Sequence, residues 1–402
     1  MQWAAPSVFS CLVIGDSMTA TRYKTYRRKA YRHKTYRHET TWHEAVGAIH
    51  VHSDFSDGTQ PIPKIAAIAE EKNLDFLLFS DHNTLEPKRR GLEGWHGNVL
   101  VLIGYEINDA DDRNHYLAFR LNREVRNTGD ARNYVRAVKK AGGIGIIAHP
   151  AEKRRFSEAY PPYPWTAWDA EGFDGIEIWN QISEWLEGVT RRNIAWRILH
   201  PLRSIRFPVW STLARWDRIN RDRRVVGIGG IDVHAYRYKV FGLIPIEIYP
   251  YKVQFRSIRT HVLTPAPLRT NHSSTGFAEA ERMVYGALIE GRAFIVNASL
   301  GDGRGFRFWC SKGKEEHAMG SRTGFSKGAI FHVKSPCCGR IRLLRDGKLV
   351  SERIGDNLDA KAEQPGVYRV EVFRKKRGWI YSNPIVLLKG PIGYGLETRK
   401  RS

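Results

Sequence analysis

The chain has 402 residues, 42% of them hydrophobic and 26% charged, an ordinary composition for a folded protein with a sizeable core. This excludes a collagen-like or wholly disordered polymer, and no run approaches the ~18 apolar residues that a membrane-spanning helix needs. Lysine and arginine exceed aspartate and glutamate by 22, which implies an anionic partner or substrate without choosing one.

The charge is local. Residues 1–43 read as a basic, flexible arm in which Lys24-Thr-Tyr-Arg-Arg, Lys29-Ala-Tyr-Arg-His and Lys34-Thr-Tyr-Arg-His form a five-residue repeat. Over 21–40 only Glu39 opposes the basic residues, for a net of +7. Such an arm can place arginines on phosphates and tyrosines on bases, or it can be a solvated tail with no dedicated partner. The apolar patch Val8–Ile14 has no basic segment before it, so no signal peptide is expected. Cys11, Cys310, Cys337 and Cys338 fit neither a disulfide framework nor a zinc ribbon, and a reducing, cytoplasmic setting is expected.

Within a first domain over 44–300, the chain from about Gly47 to Ile231 alternates short apolar runs with helical patterns. Strands are expected at Gly47–Val51, Leu74–Phe79, Val99–Tyr105, Tyr116–Phe119, Ile144–Ala148, Gly175–Trp179 and Val225–Ile231. Helices are expected at Ile62–Lys72, Ala131–Ala141 and Phe277–Glu290. The alternation indicates βα units and a parallel sheet or barrel. An Arg-rich insertion over 191–224 carries ten arginines against Asp217 and Asp222. Its Trp196, Trp210 and Trp216 suggest amphipathic helices packed beside the barrel, with a cationic face that is solvated, docks a partner or walls an anion site. Over 305–390 the texture changes to short β-type runs, with a hairpin signal at Asp346-Gly347, and a small antiparallel β-sandwich is expected. Residues 391–402 form a basic tail.

Strand after strand of the first domain ends in a histidine or carboxylate. These ends are His50-Val-His52 with Asp57, Asp81-His82, Glu106 with His115, His149, and Asp232-Val-His234. Two residues apart on a strand, His50 and His52 point to one side, as do Asp232 and His234. Barrel active sites lie at the C-terminal ends of strands. Six histidines and three carboxylates sharing a cleft would carry a large desolvation cost, which divalent metals resolve. Mixed imidazole and carboxylate donors suit Zn, Mn or Fe. Asn83, Asn180 and His261 read as structural before they read as substrate contacts.

Together, His50-Val-His52…Ser56-Asp57-Gly58, Ser80-Asp81-His82, Glu106, His115, Ala148-His149-Pro150 and Asp232-Val-His234 resemble the polymerase-and-histidinol-phosphatase (PHP) metallohydrolase superfamily over about residues 47–240. Asp81-His-Asn-Thr-Leu85, Gly91-Leu-Glu-Gly-Trp95, Gly104-Tyr-Glu-Ile-Asn108 and Ser382-Asn-Pro384 resemble its CehA/McbA-like branch, which pairs the PHP domain with a β-sandwich tail. The resemblance implies a distorted (β/α)7 barrel holding two or three divalent ions. One ion would take His50, His52, Glu106 and Asp232; a second Glu106, His115 and His149; a third Asp57, His82 and His234. Asp57 stands where some members carry histidine.

The implied activity is metal-assisted hydrolysis of a small anionic substrate, foremost a phosphomonoester or phosphodiester, with Glu106 bridging two ions that activate water. Asp81 either orients a ligand or relays a proton, or else makes a cap or loop hydrogen bond. The alternatives are a carboxylic or carbamate ester hydrolase on the same site, and a nucleic-acid-binding protein whose barrel is structural.

Overall fold

The computed structural model describes residues 42–154, 161–240, 244–268 and 274–390. Nearly all of the basic arm, including its repeat, and the 391–402 tail lie outside the described residues. The described chain is mixed α/β, with a large sheet and few helices. Among these residues no helix is long and apolar enough to cross a membrane.

The first strands are β1 (His43–Val51), then β2 (Phe76–His82) after helix α1 (Ile62–Glu71). A short helix α2 (Glu86–Arg89) and edge strand β3 (Gly94–His96) lead to β4 (Val99–Ile107). Strand β5 (Tyr116–Phe119), helix α3 (Ala131–Lys140), and strands β6 (Ile144–Ile147) and β7 (Gly175–Asn180) follow. Strand β1 pairs parallel with β2, β2 with β4, and β6 with β7. Alternate residues of these strands enter two different apolar clusters. Leu77, Phe79, Val101 and Ile103 pack in the cluster that holds Ile62, Ile65 and Ala66 of α1. Leu78, Leu100 and Leu102 join the other. Burial on both faces is why these strands read as continuous apolar runs.

One strand departs from the parallel expectation. Strand β5 runs antiparallel to both β4 and β6. Only eight residues separate Ile107 from Tyr116, too few for the crossover that a parallel neighbour requires. The reversal has a functional consequence: the start of β5, not its end, lies beside the end of β4.

Helix α4 (Gln181–Glu187) follows β7, and the Arg-rich insertion then forms helices α5 (Ile194–Leu199) and α6 (Trp210–Asp222) before strand β8 (Val226–Gly230). Of its tryptophans, Trp216 is buried and donates to Val225 O, whereas Trp196 and Trp210 are exposed. Strand β8 pairs parallel with β7. Beyond it the chain bonds back to β1: Ile231 N donates to Ile49 O, Val233 N to His50 O, and His52 N to Val233 O.

An antiparallel pair, β9 (Arg237–Val240) and β10 (Ile244–Glu247), is followed by α7 (Tyr251–Gln254), β11 (Ile258–Thr264), α8 (Ser274–Ile289) and β12 (Ala293–Asn297). Strand β11 pairs antiparallel with the first half of β1 and with β12. Neither β11 nor β12 was expected from the sequence; β11 interleaves Arg259, Thr260 and His261 among its apolar residues, and β12 is only five residues long.

The remaining strands are β13 (Arg307–Lys312), β14 (Glu315–Ala318), β15 (Arg322–Gly324), β16 (Ile330–Arg345), β17 (Lys348–Lys361), β18 (Gly366–Arg374), β19 (Arg377–Ser382) and β20 (Ile385–Leu388). The expected runs Ala329–Lys334 and Arg340–Arg345 are one long strand, interrupted by a register shift between Lys334 and Gly339. Asp346 and Gly347 make the expected two-residue hairpin, both with positive φ. Lys375 and Lys376 close the β18–β19 hairpin in the same way, without the usual turn residues.

The C-terminal strands are hydrogen-bonded into the first sheet, because β19 pairs with β12. Asn383 strengthens that junction. Its side chain accepts from Gly227 N at 2.7 Å and donates to Gly227 O and Ala293 O, linking β8 to the start of β12. Asn383→Ala leaves buried backbone groups unpaired and is expected to lower stability by about 2–4 kcal/mol. The change should appear as a lower denaturant midpoint at unchanged slope.

Candidate metal centre

The candidate ligands arrive at one end of the sheet. Register places His82 of β2 opposite Glu106 of β4, and Glu106 opposite Leu117 of β5. Because β5 is reversed, His115 at its start joins them. His149 follows β6, and Asp232 and His234 follow β8, on the segment that returns to β1.

Glu106 is the hub. Its Oε2 lies 3.0 Å from His50 Nε2, 3.3 Å from His52 Nε2 and 3.6 Å from His82 Nδ1. Its Oε1 lies 2.8 Å from His115 Nδ1 and 3.4 Å from His149 Nε2. Asp232 Oδ1 is 3.4 Å from both His50 Nε2 and His52 Nε2. Asp57 Oδ2 sits 3.1 Å from His234 Nε2, and its Oδ1 lies 3.6 Å from His52 Nδ1 and 3.8 Å from His82 Nε2. The donors fall into three overlapping groups: His50, His52, Glu106 and Asp232; His82, Glu106 and His115; and His52, Asp57, His82 and His234. Eight of the nine expected ligands fall in these groups, with His52, His82 and Glu106 each in two; His149 lies outside them, 3.4 Å from Glu106 Oε1.

These separations suit a metal shell. Tetrahedral bonds of about 2.0–2.2 Å put donors about 3.3–3.6 Å apart. Both ring nitrogens of His52 are buried without a hydrogen-bond partner, as is His149 Nδ1. A fully buried imidazole lacking a hydrogen-bond partner is costly unless a cation takes its lone pair. The donor set thus fits divalent ions on its own chemistry.

The electrostatics agree. Burial opposes ionisation of Glu106 and Asp232, yet the surrounding imidazoles, His50 foremost, hold both carboxyls well below the usual carboxylate range. Burial likewise opposes charge on His52 and His115. The nearby carboxylates of Asp232 and Glu106 push His52 up to about 9, and the charge of Glu106 with Asp112 pushes His115 up to about 10. Burial prevails at His82, which falls to about 4. The cluster demands positive charge at its centre.

Backbone strain accompanies the ligands. His50, His149 and Asp232 have φ of 67°, 24° and 52°, conformations disfavoured for residues with a Cβ. At His50 the strand bulges, and the β1–β2 register steps between Ile49 and Val51. The simple alternation expected of His50 and His52 is broken, yet both imidazoles reach the same two carboxylate oxygens.

Glu177 holds this geometry, and the sequence reading did not single it out. Its Oε1 is 3.1 Å from His50 Nδ1, while its Oε2 accepts from His149 N and Asn180 Nδ2. One carboxylate thereby fixes the ring of one ligand and the backbone of another. A lone glutamate inside the apolar strand Gly-Ile-Glu-Ile-Trp was the available signal, since a buried carboxylate requires partners. Tyr251 plays a similar part, its hydroxyl donating to His52 O. No sequence pattern marked it.

Asp81 is buried, and its two oxygens accept from Ser53 N, Ser53 Oγ and Ser56 Oγ. It anchors the loop between His52 and Asp57. Asn83 donates to Asn108, Asn180 caps α4 by accepting from Ser183 N, and His261 bonds Glu44. Access is from the side of Asp57 and His82, whose side chains are 44% and 29% exposed. A second cleft reaches His149 and Glu177 and is lined by Asn180, Glu184, Phe207 and Val209.

No protein-family model and no curated protein matches the chain. Among solved structures it is similar to a two-domain protein from Bacteroides vulgatus containing a predicted PHP-like metal-dependent phosphoesterase. Identity is 16%, the match covers 86% of this chain and 96% of that one, and the TM-score is 0.41. It is also similar to a Bifidobacterium adolescentis protein assigned as a metal-dependent phosphoesterase, at 17% identity over 47% of this chain and 87% of that one, TM-score 0.27. An amidohydrolase from Chromobacterium violaceum with bound sulfate and no metal shares 13% identity over 51% and 92%, TM-score 0.27.

Glu177→Ala is expected to weaken zinc or manganese affinity about 10- to 100-fold in calorimetric titration while the fold persists by circular dichroism. Glu184 gives a pH signature. Burial pushes its carboxyl from 4.5 up to about 7, against the N–H groups of Trp179, Arg206 and Phe207. The folded state then keeps a proton that the unfolded chain has lost, so stability falls as pH rises through that window. Relative to Glu184→Gln, the native chain should lose up to about 3 kcal/mol of unfolding free energy between pH 4 and 8.

Proposed function

We propose that this chain is a metal-dependent hydrolase of the PHP superfamily that cleaves a phosphomonoester or phosphodiester. The observation that carries the reading is the Glu106-centred group, in which His50, His52 and Asp232 stand at donor separations of 3.0–3.4 Å. The return of the segment after β8 to β1 supports reading β1, β2 and β4–β8 as a distorted (β/α)7 barrel within 44–300, β5 being its distortion. The antiparallel pairings beyond 305 support a C-terminal sandwich over 305–390.

His50, His52, Glu106 and Asp232 would hold one ion. Glu106, His115 and His149 would hold a second, and Asp57, His82 and His234 a third. Imidazole and carboxylate donors favour Zn, Mn or Fe. When bound, such ions supply Lewis acidity and a water activated near neutral pH. The chain's own residues do the rest. Glu177 fixes the His50 ring and the His149 backbone, and Asp81 fixes the loop that carries Asp57. The partly exposed Asp57 and His82 leave the substrate a path from solvent. Arg154 lies over Tyr163, which stacks on His115, and its guanidinium is paired with Glu152 at 2.7 Å.

The test is turnover of chromogenic phosphomonoesters and phosphodiesters by the full chain loaded with zinc or manganese. His50→Ala and Asp232→Ala should each reduce kcat by about 10³-fold or more, and a chelator should abolish turnover. Turnover confined to neutral aryl esters would assign the site to carboxylic or carbamate esters instead. Loaded protein that hydrolyses neither class sinks the hydrolase reading.

A further inference from the structure

Among the described residues eight large apolar side chains are exposed, and four of them, Trp196, Leu199, Phe207 and Trp210, fall within fifteen residues of the Arg-rich insertion. Residues 191–210 also contain Arg191, Arg192, Arg197, Arg203 and Arg206 and no aspartate or glutamate. Helix α5 shows why the apolar groups are outside. Ile194 and Ile198, four apart, pack against the cluster of Ile182, Trp185, Val189 and Tyr249. Trp196 and Leu199, three apart, occupy the opposite side and are 46% and 74% exposed. The helix carries apolar side chains on two opposite sides but is packed on one only. Further on, Glu184 Oε1 accepts from the backbone N–H groups of both Arg206 and Phe207, fixing the chain where Phe207 and the 77%-exposed Trp210 project.

We propose that residues 191–210 dock the protein on an anionic lipid surface. Tryptophan, phenylalanine and leucine interspersed with arginine are the composition of an interfacial anchor, with apolar groups entering the headgroup region and arginines meeting lipid phosphates. A second copy of the chain fits poorly, because a two-fold interface would set the same uncompensated arginines against each other. Single-stranded nucleic acid would use the aromatic faces but gives no role to Leu199. Phe207 also lines the cleft that reaches His149 and Glu177, so docking brings that cleft to the bilayer. The docking itself does not depend on the chemistry of the metal site.

The experiment is co-sedimentation of the full chain, basic arm included, with phosphatidylcholine vesicles with and without about 30% phosphatidylglycerol at about 0.15 M salt. Binding is expected to the anionic vesicles, with tryptophan fluorescence quenched by brominated acyl chains. Trp196→Ser/Leu199→Ser and Phe207→Ser/Trp210→Ser change exposed side chains, and each pair should weaken binding about tenfold. Arg191→Glu/Arg192→Glu should weaken it comparably and leave less salt dependence. Binding that both apolar pairs leave unchanged would assign the interaction to the arm and overturn the proposal. So would absence of vesicle binding, or tight binding of single-stranded RNA that these same variants abolish.

Discussion

Glu106 is a buried carboxylate with five imidazoles within 3.6 Å. An ion in that position is tolerable only if positive charge surrounds it, because removing a carboxylate from water costs several kcal/mol even after the protein relaxes. The histidines supply part of that charge when protonated, and the donor spacings suit divalent ions that would supply it in full. Much of the first sheet can be understood from this requirement. Strands β1, β2, β4 and β6 run parallel so that their ends deliver His50, His52, His82, Glu106 and His149 to one place, and β5 runs backwards so that its start delivers His115.

Delivering so many ligands to one point is not compatible with ideal strands. The left-handed backbone at His50, His149 and Asp232 and the bulge in β1 are local conflicts between regular geometry and ligand direction. Surrounding hydrogen bonds hold them in place. Glu177 ties His50 to His149, Tyr251 accepts Thr59 N and donates to His52 O, and Val233 exchanges backbone bonds with His50 and His52. The strain is thus shared among strands that the apolar clusters already fix.

The C-terminal strands contribute to the same rigidity from behind. Asn383 bonds Gly227 on β8, the strand that leads to Asp232. Arg369 on β18 forms a buried pair of bonds with Asp217 on α6 and Glu371, at 2.8 and 2.7 Å. A buried ion network of this kind is weak as a source of stability but exacting about geometry, since losing one partner strands the others. The arginines of 191–224 accordingly divide in two. Arg215 and Arg223 lie over Trp168 and Phe173, whereas Arg191, Arg192, Arg203 and Arg206 remain exposed.

Most of the candidate ligands were legible because they sit at the ends of apolar runs, where residue type and position point to the same chemistry. The helices at 62 and 131 were legible for a similar reason, since one apolar stripe and one terminating signal define each. Strands β11 and β12 were not, because their pairing with β1 and β19 depends on partners distant in the chain. The direction of β5, the bulge at His50 and the role of Glu177 were equally out of reach. By itself the sequence determined which residues meet and what chemistry their donor atoms suit, because composition and local period are written in it. Tertiary structure alone decided the geometry in which they meet, because long-range hydrogen bonds and the desolvation of Glu106 set it.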